Sequence, residues 1–359
     1  MTKTQKLFGL VLIVMVGLSS CRKLDDHEYD PSLYTLEHGE LPPPTIPEDN
    51  PLTKEGVKLG QMLFYETAMS RNNTIACGSC HLQENAFSDP RTFSLGVDDL
   101  PGKRHAMSAV NLIYNTNGFF WDGRAELLRD QALMPIEDHL EMDENLESVV
   151  SKLRAKEIYR AQFIRAFGTE EINALKISLA LEQFMNSIVS YNSKYDKFLR
   201  GEATLTDAEE RGRVLFFAEY NPFFPLVTGA DCHHCHGTKT FEIDKYKNNG
   251  LDSDASFTDL GREEVTGDPA DRGKFKIPTL RNVEVTAPYM HDGRFQTLEE
   301  VVEHYNSGLH ASSTLDVTLE NTRATGLMLD AQEKADLVAF LKTLTDHDML
   351  ANADYASPF

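Results

Sequence analysis

The sequence is short of thiols, tryptophan, positive charge and long apolar runs. Five cysteines in 359 residues are too few for a disulfide scaffold. Lys and Arg number 35 against 56 Asp and Glu, a formal net charge of −21. That balance excludes the basic face on which nucleic acid binds. It suits a basic protein partner, or simply a well-solvated acidic surface. Leu7 to Leu18, behind Lys3 and Lys6, is too short to span a bilayer and has the length of a signal-peptide core. Strand patterns are few as well, so the chain reads as mostly α, with room for about two domains.

What the chain does have is one five-residue pattern, twice. Cys77-Gly78-Ser79-Cys80-His81 and Cys232-His233-His234-Cys235-His236 both read C-x-x-C-H. This is the attachment signature of haem c, in which two thiols add to the haem vinyl groups and the histidine takes the iron. The rival is a zinc site built from the two C-x-x-C pairs. A histidine directly after each pair, together with an export leader, favours haem. The fifth cysteine, Cys21, follows Leu18-Ser19-Ser20, which is similar to the box where bacterial lipoproteins are cleaved and lipidated. Ordinary secretory cleavage is the alternative. One thiol for lipid and two for each haem leaves none for disulfides. The expected layout is a signal peptide at 1–20 and a flexible, proline-rich tether at 21–51. The product would be an exported, periplasm-facing protein, held to a membrane only by its lipid.

The remainder carries a weak repeat. Gly60-x-x-Leu63-Phe64 precedes the first motif and Gly212-x-x-Leu215-Phe216 the second, on helices expected over Leu52–Glu66 and Thr206–Tyr220. Asn111 and Trp121-Asp122-Gly123-Arg124 follow the first motif. Asn282 and His291-Asp292-Gly293-Arg294 follow the second. Helices over Ile172–Leu199 and Ala331–Thr345 close the halves. The domains are then 52–200 and 201–359, joined at Gly201–Leu205. Asn248–Lys274 is a Gly- and Asp-rich excursion, either a cover for the second haem or a mobile loop.

These stretches, with Gln131-x-x-x-Pro135-Ile136, Glu141-Met142, Phe275–Asn282 and Thr286–Gly293, resemble the bacterial di-haem cytochrome c peroxidases and their MauG-type relatives. The likeness covers about Leu52 to Thr345. It implies two cytochrome c-like helical domains, each with one covalent haem c: a peroxidatic N-terminal haem on His81 and an electron-transfer haem on His236. Glu141 matches the distal glutamate that shuttles a proton, and Gln131 the distal glutamine. Gln131 would share a face with Leu127 and Leu128 on a helix ending at Pro135, which bounds the pocket. Trp121 matches the relay between haems. Arg124 would pair with a carboxylate or a propionate.

The second haem's sixth ligand aligns with Tyr305, where the peroxidases have Met and the MauG-type enzymes Tyr. Rivals are His304, Met290, Met328 and His310. The family's blocking histidine near the first haem is replaced by Val97, with His105 close by as a substitute. His105 also stands where the family's interdomain calcium takes an Asn, beside oxygens of Thr286 and Pro288, so calcium is disfavoured. The expected function is reduction of hydrogen peroxide with electrons from a small cytochrome. Alternatives are a MauG-type oxidant of a protein or organic substrate, and a plain electron-transfer cytochrome.

Overall fold

The computed structural model describes residues 28–221, 223–224 and 229–359. The leader and Cys21 lie outside them. The fold is mostly helical. The N-terminal half holds α1 (Lys54–Phe64), α2 (Leu128–Glu137), α3 (Leu146–Ala155), α4 (Glu157–Phe167) and α5 (Ala174–Ser187). After α6 (Lys194–Leu199) come α7 (Asp207–Phe217), α8 (His233–His236), α9 (Glu263–Thr266), α10 (Leu298–Ser307), α11 (Glu320–Thr325), α12 (Ala331–Lys342) and α13 (His347–Leu350). One antiparallel pair, β1 (Tyr246–Lys247) with β2 (Phe275–Lys276), is the only sheet among the described residues.

There are two hydrophobic cores, and the repeated sequence features build the same contacts in each. Helix α1 crosses α5 at Gly60, where a Cβ would stand 2.0 Å from the Ala180 carbonyl oxygen. Helix α7 crosses α12 at Gly212, where a Cβ would stand 1.9 Å from the Asp336 carbonyl oxygen. Only glycine lets the backbones meet this closely. Leu63 and Phe64 then fill the first core, and Phe216, Phe340, Leu337 and Leu344 the second. The repeated asparagines are left-handed, with φ of 61° at Asn111 and 62° at Asn282. Asn111 Oδ1 accepts the Ser190 amide, and Asn282 Oδ1 the Asp346 amide, both at 2.8 Å. Each asparagine thus pins the chain leaving a closing helix.

Three expectations are corrected. The closing helix of the first half is broken: α5 ends at Ser187 and α6 starts at Lys194. The chain between them runs extended, tied by Asn111 and Asp346. The domains also exchange ends. Tyr195 on α6 belongs to the second core, while Met349 and Tyr355 near the C-terminus belong to the first. The crossover is therefore at 188–193 rather than at Gly201–Leu205, and the second lobe does not extend to residue 359. Finally, residues 28–51 are irregular but docked. Leu41 and Asn50 are buried, Asn50 Nδ2 donates to Glu182 at 2.7 Å, and Asp49 pairs with Arg129 at 2.6 Å. Prolines deny this stretch a regular ladder, yet polar anchors hold it to the first lobe.

Candidate functional site

The two C-x-x-C-H stretches fold alike. The amide of His81 donates to the Cys77 carbonyl at 2.9 Å, and that of His236 to the Cys232 carbonyl at 3.0 Å. This turn puts both cysteines and the histidine on one short loop. His81 Nδ1 lies 2.7 Å from the Phe87 carbonyl and His236 Nδ1 2.9 Å from the Phe241 carbonyl. With Nδ1 as donor, the Nε2 lone pair is left for a metal. Burial lowers the pKa of both imidazoles, that of His236 to about 4, so both rings are neutral at pH 7. The four described cysteines form no disulfide.

A cavity of about 880 Å³ opens beside His81. This falls within the roughly 300–1,000 Å³ of pockets that enclose a drug-sized ligand. Cys77, Cys80, His81, Trp121, Gln131, Pro135 and Glu141 all line it, and Glu242 and Lys276 reach it from the second lobe. Asn115 Oδ1, in the same wall, is buried without a hydrogen-bond partner. Thiols, a neutral imidazole, apolar walls and an orphaned polar atom fit a haem c.

Glu141 is the chemically distinctive residue of this cavity. Burial, reinforced by the charge of Asp138 and opposed by Arg124, pushes its carboxyl up to about 7. A group with that pKa can both take and give a proton near neutral pH. A second hollow of about 280 Å³ shares Phe120, Arg124, Pro135, Asp138 and Glu141 with the cavity, so Glu141 stands between the two. The Glu141 carbonyl accepts the Val97 amide at 2.9 Å, which ties the Val97 loop to the acid. Gln131 lies on α2, but this helix runs through Pro135 to Glu137, with Leu127 as its N-cap. Leu127 is exposed and Leu128 buried, so the two do not share a face. Arg124 pairs with Asp122 at 3.2 Å and covers the Phe120 ring.

Trp121 is buried on the seam between lobes. Its Nε1 donates to the His105 carbonyl at 2.8 Å, and its own carbonyl accepts the Lys276 amide at 2.7 Å. The His105 amide in turn donates to the His291 carbonyl at 2.7 Å. The His105 ring is fully engaged. Its Nε2 lies 3.2 Å from Ser88 Oγ, and its Nδ1 3.2 and 3.3 Å from the Arg91 and Thr92 carbonyls. It has no free nitrogen for iron and no oxygen for calcium.

Beside the second motif, Asn249 Nδ2 reaches both Tyr305 Oη at 3.3 Å and Met290 Sδ at 3.4 Å. Burial pushes the Tyr305 phenol up to about 12, and Cys235 and Cys232 are close enough to act on it. His304 instead turns to the Asn249 carbonyl at 3.1 Å and the Phe295 ring. His310 and Met328 are exposed. Of the five candidate ligands, the structure therefore groups Tyr305 and Met290. Sequence reasoning missed Asn249, which sits in a long excursion where spacing carries no signal. It also missed Glu242, whose burial pushes its carboxyl up to about 8.

The description "Di-haem cytochrome c peroxidase" fits residues 54–204. Over 303 residues the chain is 36% identical to the methylamine utilization protein MauG of Methylorubrum extorquens, covering 83% of this chain and 80% of that one. Over 297 residues it is 33% identical to the cytochrome c551 peroxidase of Nitrosomonas europaea, covering 82% and 81%. A crystal structure of a MauG-like protein associated with microbial copper homeostasis superposes with a TM-score of 0.80 at 37% identity, over 89% of this chain and 97% of that one. The diheme peroxidase BthA of Burkholderia thailandensis shares the fold, with a TM-score of 0.71 at 21% identity over 90% and 99%. The chain belongs to the di-haem cytochrome c peroxidase family. It is an oxidoreductase of the peroxidase class.

Proposed function

We propose that the protein reduces hydrogen peroxide to water at a haem c on Cys77, Cys80 and His81, with electrons that arrive through a haem c on Cys232, Cys235 and His236. The observation that carries this is a carboxyl with a pKa near 7, Glu141, in the wall of the cavity that holds the neutral His81 ring. When bound, the haem iron supplies the electrons that break the O–O bond. Glu141 takes the proton from the near oxygen of peroxide and returns it to the far one, which leaves as water. The Gln131 side chain orients the peroxide, and Pro135 limits the space around it. We assign the passage of electrons across the seam to Trp121, on the strength of its hydrogen bonds to both lobes. The balance is one peroxide, two electrons and two protons to two waters.

The donor is a small protein such as a mono-haem cytochrome c, and the acidic excess of the chain favours a basic one. The leader and Cys21 support export and lipid anchoring. Cys21→Ser should release the protein from membranes, and retention of the variant would refute the anchor.

A second reading, MauG-type oxidation of a protein or organic substrate, is favoured by Tyr305 at the second motif. A phenolate ligand stabilises ferric and higher iron states. Electron paramagnetic resonance of the diferric protein separates the readings. One high-spin and one low-spin haem fit both enzyme readings, whereas two low-spin haems refute them. Steady turnover with reduced cytochrome c then supports the first, and a long-lived oxidised state without prior reduction supports the second. Tyr305→Phe should change the low-spin signal. An unchanged signal transfers the ligand role to Met290.

A further inference from the structure

The second C-x-x-C-H stretch carries two histidines that haem attachment does not require. The first stretch has Gly78 and Ser79 at the same places. His233 and His234 are neighbours whose rings stack at 4.5 Å. Their Nε2 atoms stand 3.4 and 3.6 Å from Glu219 Oε1. Asp231 completes the group: one ligand atom from each of the four residues lies within 4.8 Å of all the others.

Glu219 and His234 are exposed and Asp231 and His233 half-buried, and two features set this surface group apart. Asp231 Oδ1 and His233 Nδ1 are buried and have no hydrogen-bond partner. His234 Nδ1 is 2.8 Å from Asp231 Oδ1, so the carboxylate already faces one imidazole of the group. Asp231 also has a φ of +58°, in the left-handed region. Buried polar atoms without partners are uncommon in native proteins and often mark an absent ion.

We propose that Glu219, Asp231, His233 and His234 form a binding site for one divalent transition-metal ion, of the Zn²⁺ or Cu²⁺ class. Two imidazoles and two carboxylates suit these borderline ions and disfavour Ca²⁺, which takes six or more oxygens. In a tetrahedral site with bonds of about 2.1 Å, ligand atoms stand roughly 3.4 Å apart. The Glu219–His233 and Glu219–His234 separations already meet that spacing. Two carboxylates neutralise the ion's charge, so the site holds it without a buried excess. Nothing in the site overlaps Cys232, Cys235 or His236, so the metal is additional to the haem.

The test is calorimetric titration of the untagged di-haem holoprotein with Zn²⁺, with Ca²⁺ as control. One Zn²⁺ per chain is expected, with no Ca²⁺ uptake at this stoichiometry. His233→Ala with His234→Ala should abolish the site while two haems per chain remain, as the Gly-Ser pair of the first motif implies. Undiminished Zn²⁺ binding in that variant overturns the proposal, as does absence of binding in the parent. If the variant loses haem, pulsed electron paramagnetic resonance of the parent with one Cu²⁺ decides. Coupling to two imidazole nitrogens supports the site, and coupling to none overturns it.

Discussion

At the residue scale, the proposed peroxide chemistry rests on what burial does to one carboxyl. Glu141 has a pKa of about 7, against an ordinary value near 4.5. As a base it works only when ionised, so kcat/KM for peroxide should rise with pH through about 7 and level off above it. Glu141→Gln should lower turnover by about 100- to 10,000-fold and abolish that pH limb, with haem content unchanged. Retained turnover would remove Glu141 from its role. The contiguous C-x-x-C-H motifs were fully legible in the sequence, because attachment chemistry fixes both residue type and spacing. Glu141 was legible only through family likeness, since its neighbours Glu137, Asp138, Asp143 and Glu144 look the same in composition. Asn249 was not legible at all. It meets Tyr305 across 56 positions, a distance local patterning does not span.

At the element scale, the repeat G-x-x-L-F is a helix-crossing device. A methyl at residue 60 would drive into the Ala180 carbonyl, and one at residue 212 into that of Asp336. Backbone has nowhere to retreat, unlike a flexible side chain. Gly60→Ala and Gly212→Ala should each cost about 3 kcal/mol, at the upper end of overpacking penalties. Urea unfolding monitored by circular dichroism reads the loss, and a change below about 1 kcal/mol would refute the crossing argument. Periodicity found α1, α7 and α12 to within a few residues. It failed at 188–193, where Ile188, Val189 and Ser190 are buried. A stretch buried all round has no polar face to reveal that the helix has stopped.

At the scale of the whole molecule, two cores meet at one seam. Arg104 is half-buried between lobes, paired with Asp122 from the first, and with Asp259 at 2.7 Å from the second. Arg281 is likewise paired with Asp196 at 2.8 Å inside the second lobe. Tyr355 returns to the first core, where its hydroxyl donates to the Ser187 carbonyl at 2.9 Å. Tyr355→Ala should cost about 3–5 kcal/mol, as for other buried aromatics. Unfolding should remain one transition, whereas two separated transitions would show that the lobes are independent. Which core a helix joins depends on contacts far apart in sequence, so a repeat that builds two cores was readable but the placement of α6 in the second core and of residues 349–355 in the first was not.

That exchange sets an order of assembly. Met349 and Tyr355 follow the whole second core in the chain, yet they close the core that surrounds Phe64 and Phe87 beside the first C-x-x-C-H motif. Until this segment arrives, the first lobe is an open vessel with its apolar edge in water. Residues 346–355 therefore act as a stopper, set by the far side of the second core, on the lobe that carries Cys77 and Cys80.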